Sequence, residues 1–191
     1  MDRPPLSVKV NTLKISANEL AERFEKQGIK IEKSLLCENV LLLKKAGDIS
    51  SLKEFSDGLF HIEDAACALC CEALFPEEGD RILDACAAPG GKSFTLAELT
   101  NDKAEIISAD IYEHKTKLIA DGAKRLRIRS IRTVINNAEV YNEHLGEFDR
   151  ILCDVPCSGL GIIRKKPEIR YKSDTNLDVL PQIQYNILTS C

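Results

Sequence analysis

The sequence predicts an α/β fold: a parallel sheet with helices on both faces, preceded by a small α+β unit. Three observations carry this expectation. From Gly79 onward, strand-like apolar runs alternate with helical ones, the pattern of a parallel sheet. The run Ile82-Leu83 leads through Pro89-Gly90-Gly91 into a helix, so a buried strand ends in a tight turn. The first 45 residues carry a β-α-β-β periodicity of their own.

In chain order, Val8-Lys9-Val10 reads as a short strand. Ser16 and Glu19 form a capping box, and Leu20, Phe24 and Gly28 mark an amphipathic helix closed by glycine. Residues 29–36 and 40–43 are expected strands. Residues 46–59 are polar and expected to be irregular. A cysteine-bearing helix follows over 64–74. The strands of the parallel sheet are placed at 81–84, 105–110, 132–136 and 149–154, with helices at 93–99 and 113–127. A last helix covers 180–188. The domains expected are a small unit over 1–45, a connection over 46–78, and a ligand-binding domain over 79–191. With four strands visible, that sheet reads as incomplete, truncated at the C-terminal side, because an apolar edge would stand open.

Composition bounds the function. With 44% hydrophobic and 29% charged residues, the chain has the make-up of an ordinary globular protein. No apolar run approaches a membrane span, and no signal-peptide core is present, so a cytoplasmic protein without membrane contact is expected. The net charge of −4 leaves no global basic field, so any nucleic-acid surface must be local. Six of the eight cysteines lie in apolar runs, which suits buried reduced thiols better than a disulfide framework. Cys67-x-x-Cys70-Cys71 lacks a second matching pair, so no metal site is expected.

The glycine turn offers free helix N–H groups at the carboxyl end of a strand, where α/β sheets bind ligands. Gly91-Lys92-Ser93 looks like the end of a phosphate-binding loop, but Cys86 stands where that loop needs its first glycine. The strict dinucleotide pattern fails too, because Ala-Ala-Pro replaces its opening glycines. An acid at the end of the next strand, Asp110, could accept the ribose hydroxyls of an adenosine. The alternative is a turn with no ligand. A second loaded stretch runs Asp154-Val155-Pro156-Cys157. It presents an acid and a thiol at the same sheet edge, either in one pocket or as a local cap and an inert thiol.

Together these stretches, Asp84-Ala-Cys-Ala-Ala-Pro-Gly-Gly-Lys92 and Asp154-Val-Pro-Cys-Ser158, resemble the Sun (Fmu/RsmB) family of RNA 5-methylcytosine methyltransferases. Residues 161–170 and 180–184 are similar to its bacterial ribosomal-RNA branch. The resemblance implies a Rossmann-like methyltransferase sheet and S-adenosyl-L-methionine as cofactor. It implies methylation of cytosine C5 in RNA, with 16S ribosomal RNA as partner; separately, a monomer is expected. Carried over, Cys86, Ala87, Ala88, Pro89, Gly90, Gly91 and Lys92 hold the cofactor, with Asp110 on the ribose. Asn137 replaces the family's acid near the adenine and carries no charge. Asp154, also in the cofactor cleft, would bond the cytosine, and Cys157 would help release the methylated base. The family's nucleophilic Thr-Cys motif is expected beyond residue 191, and Cys191 is not assigned that role. A fragment of this kind would be inactive alone, so the rival is a non-catalytic RNA- or cofactor-binding module. Arg164, Lys165, Lys166, Arg170 and Lys172 are the expected RNA contacts. Arg125, Arg127, Arg129 and Arg132 form a second basic run, of the kind more often solvated.

Overall fold

The structure is a computed structural model that describes residues 4–44, 46–171 and 177–191. Lys172 therefore lies outside the described residues.

The N-terminal sheet is antiparallel, in the order β2-β3-β1-β4. Its strands are β1 (Leu6–Val10), β2 (Lys30–Lys33), β3 (Val40–Lys44) and β4 (Phe60–Ile62). Helix α1 (Ala17–Lys26) starts at the expected capping box, in which the Ser16 side chain accepts from the Glu19 N–H. Its apolar stripe, Leu20 and Phe24, packs on Val8, Val10, Leu41 and Phe60. Each such side chain contributes roughly 1.5–3 kcal/mol on burial. The polar stretch over 46–59, expected to be irregular, holds a short helix α2 (Lys53–Ser56), and β4 follows it. Alternation is invisible in a three-residue strand, so pairing with β1 decided it.

The second sheet is parallel, in the order β7-β6-β5-β8. Its strands are β5 (Arg81–Asp84), β6 (Glu105–Asp110), β7 (Ile131–Ile135) and β8 (Arg150–Leu152). Successive side chains point to opposite faces. Ile82 and Ile106 meet Phe94 and Leu96 of α4 (Gly91–Leu99) and Ile119 of α5 (Glu113–Leu126). Leu83 and Ile107 meet Ile187 of α6 (Leu180–Ser190) on the other face. The cysteine helix α3 (Ala65–Glu72) packs beside α4. The strand order reverses between β5 and β8, both leaving the sheet at the same edge. In open α/β sheets such a reversal makes the ligand crevice.

Candidate active site

The crevice is built from two loops. The first leaves β5 at Asp84 and enters α4 through Ala88-Pro89, joined by a cis peptide bond, and Gly90. Gly90 has φ +109°, and a Cβ there would lie 2.6 Å from the Phe94 ring. The position therefore needs glycine for its backbone and its space. No side chain caps α4, so its first N–H groups are left without a capping side chain at the positive end of its dipole.

The second loop follows β8. That strand ends at Leu152, whose carbonyl takes the Ala85 N–H, so Asp154 stands in the loop instead of at a strand end. Lys92 Nζ donates to Asp154 Oδ2 at 2.6 Å. One ion pair thus ties the glycine turn to the proline elbow. Asp154 raises the Lys92 pKa, and so does a contact from Cys67, against the opposing effect of burial. Lys92 therefore spends its charge on Asp154. Cys157 is exposed.

Asp110 ends β6. Its carboxylate accepts the Tyr112 N–H at 3.1 Å and lies 3.6 Å from Lys115 Nζ. The Asp110 carbonyl takes the Asn136 N–H, which brings Asn137 to the same edge. Asn137 is exposed, and its side-chain oxygen accepts the Glu139 N–H at 3.1 Å, which fixes the turn locally. Cys86 is partly buried, and burial pushes its thiol up to about 12.

Two groups that the sequence reading did not place in the site lie under the turn. Asp84 is fully buried; Ser93 donates to it at 2.7 Å, and Ser108 donates to Ser93 at 2.7 Å. Among the described residues its other oxygen has no hydrogen-bond partner. Burial raises its pKa to about 7, against the pull of Ser93 and Lys92. Glu63, also buried, accepts from Thr95 and faces Gly91. An acid just before a glycine turn was the available signal for Asp84. Glu63 had none, because its burial comes from α4.

The basic residues divide. Arg164, Lys166 and Arg170 are exposed, and Lys165 pairs with Asp64. Arg164, Lys165 and Lys166 line a groove of about 600 Å³ against Pro4–Ser7 and Ile62–Asp64. A second hollow, about 370 Å³, lies on the α6 face between Leu83, Asn136 and Phe148. The second basic run is partly structural: Arg125 donates to the Phe55 and Phe60 carbonyls and stacks on Phe55.

The family model described as 16S rRNA methyltransferase RsmB/F matches residues 71–191, well over half of the chain. This chain belongs to the RsmB/F methyltransferase family. The matching RsmF/B-like ferredoxin-like domain covers residues 1–50. The Sun-family resemblance read from the motifs is thereby met. Among RsmB/F relatives, the probable ribosomal RNA small subunit methyltransferase B of Bacillus subtilis is 39% identical over 97% of this chain and 42% of its own length. The crystal structure of PH0851 is 30% identical, with a TM-score of 0.95 over 100% of this chain and 44% of that one. NSun6 from Pyrococcus horikoshii, crystallised with SFG, is 20% identical with a TM-score of 0.84 over 98% of this chain and 72% of that one. It shares the fold. The chain spans less than half the length of the curated relatives it matches. Among the described residues, no helix is long and apolar enough to cross a membrane.

Proposed function

We propose that this chain binds S-adenosyl-L-methionine in the crevice and that its whole protein methylates C5 of a cytosine in 16S ribosomal RNA. The carrying observation is the Lys92–Asp154 pair at 2.6 Å, which supports a shared crevice for the glycine turn and the proline elbow. The donors fit the cofactor. Uncapped N–H groups at the start of α4 suit a carboxylate. Gly90 and Gly91 leave the backbone approachable. Asp110 would take the ribose hydroxyls, with Asn137 on the adenine side.

S-adenosyl-L-methionine supplies the methyl group. Asp154 would bond the cytosine N3 and exocyclic amine, stabilising the charge that develops as the base is activated. Lys92 orients Asp154 for this. Cys157, exposed three residues on from Asp154, would help release the methylated base. Arg164, Lys165 and Lys166 would hold RNA phosphates along the groove they share with the N-terminal strand, with Arg170, exposed nearby in sequence, as a further phosphate contact. The reading keeps the methyltransferase domain over 79–191, acting as a monomer; the small unit expected over 1–45 extends through Ile62, because β4 pairs with β1, and the connection shortens accordingly.

The test supplies the whole protein with methyl-labelled S-adenosyl-L-methionine and unmodified 16S RNA, then digests the product to nucleosides. Label is expected in 5-methylcytidine and lost with Asp154→Asn. Label in another nucleoside overturns the reading. Cofactor and RNA affinity without transfer would instead favour a non-catalytic binding module.

A further inference from the structure

Helix α4 carries the glycine turn on its first residues, and residues 93–98 are all buried. A helix covered all round must find partners for its polar residues on every side. Phe94, Leu96 and Ala97 belong to the core shared with the parallel sheet. Thr95 and Glu98, 0% and 4% exposed, are served by the N-terminal sheet and the residue just after it. Lys9 Nζ of β1 donates to Glu98 Oε2 at 2.6 Å. His61 Nε2 of β4 stands 3.2 Å from Glu98 Oε1, misaligned for a hydrogen bond. Thr95 donates to Glu63, just after β4.

Two of these contacts continue to the turn. The other Glu63 oxygen, which has no hydrogen-bond partner among the described residues, lies 3.0 Å from where a Cβ on Gly91 would stand. The His61 ring meets Phe94 edge-on at 5.5 Å, and the Phe94 ring fills the space beside Gly90. Apolar packing alone lets a helix shift about its axis. Directional buried contacts at both ends fix its rotation, and that rotation sets where the first N–H groups and Lys92 point.

We propose that the N-terminal sheet is part of the cofactor apparatus, with Lys9, His61 and Glu63 as positioning residues that seat the glycine turn. This rests on the cofactor reading given above. None of the three touches the crevice chemistry.

The test uses Lys9→Met combined with Glu98→Met, which removes both buried charges together so that neither is stranded. His61→Ala and the ring-keeping His61→Phe are made beside it. Three measurements are taken on each purified protein: thermal unfolding, calorimetric Kd for S-adenosyl-L-methionine, and hydrogen exchange of the peptide over 86–95. The double variant is expected to stay folded, bind at least tenfold more weakly and exchange faster over 86–95. His61→Ala should do the same, with His61→Phe restoring affinity to within about threefold. A folded double variant with unchanged Kd and exchange overturns the proposal. Should it fail to fold, the same readouts on His61→Ala against His61→Phe decide, and equal behaviour of those two overturns the proposal. Failure of the unaltered protein to bind S-adenosyl-L-methionine overturns the cofactor reading instead. Exchange over 86–95 then decides alone: faster exchange in the variants supports the seating, and unchanged exchange overturns it.

Discussion

Asp84 shows how one residue couples burial to chemistry. Its folded pKa of about 7 lies above the ordinary carboxylate value of roughly 4. Between those limits the folded protein holds a proton that the unfolded chain has released. Stability from this group is therefore full at low pH and is lost as pH rises to about 7. Raising the pH from about 5.5 to 8 should cost the protein about 2 kcal/mol through Asp84. Asp84→Asn should flatten that part of the profile in thermal unfolding followed by circular dichroism; an equally steep variant would exclude Asp84 as the source. The thiols divide by the same physics. Burial raises Cys71, Cys86 and Cys153, the last two to about 12, so little thiolate exists there at neutral pH. Cys70, Cys157 and Cys191 are exposed. Brief iodoacetamide treatment at pH 7.5, read by peptide mass spectrometry, should label Cys157 and Cys70 well before Cys71 and Cys86. Cys191 is less separable, because its thiol contacts Cys153.

At the scale of elements, the strand–turn–helix unit β5–α4 carries most of the site. Gly90→Ala should cost about 1–3 kcal/mol, because its Cβ would overpack against Phe94. Its φ of +109° adds strain for any L side chain. The expected readout is a lower melting temperature with a cofactor Kd raised at least tenfold. Normal affinity would show that the turn tolerates a side chain. This unit was legible in the sequence because glycine, proline and apolar runs mark it locally. The end of β8 was not. Residues 153 and 154 still read as strand, but the ladder stops where the β5 partner becomes loop, at Ala85. Helix α2 and strand β4 escaped for a related reason: at four and three residues they are too short for periodicity, and partners distant in the chain, β1 and Arg125 of α5 among them, hold them.

Across the whole molecule, one groove joins residues far apart in the chain, Pro4 to Ser7 and Arg164 to Lys166, with Glu63, Asp64 and Glu168 also in its lining. Lys165→Ala with Lys166→Ala should weaken RNA binding and reduce the log–log salt slope by about 1–2, as phosphate contacts release counterions. A slope equal to that of the unaltered protein, measured by filter binding, would remove the groove from the RNA surface. Strands β1 to β3 and β5 to β8, the capping box and the two motif stretches were legible in the sequence, because each is marked by residues within about a dozen positions of one another. The partners of Lys9, His61, Lys92 and Arg125 were not. Lys9 and Glu98 are 89 positions apart, and Lys92 and Asp154 are 62 apart. Local sequence sets propensity and turn chemistry, but a buried charge takes its meaning from whatever the folded chain packs against it. Strand order alone set the glycine turn beside the proline elbow, and the two-sided burial of α4 turned an ordinary lysine and histidine into its support.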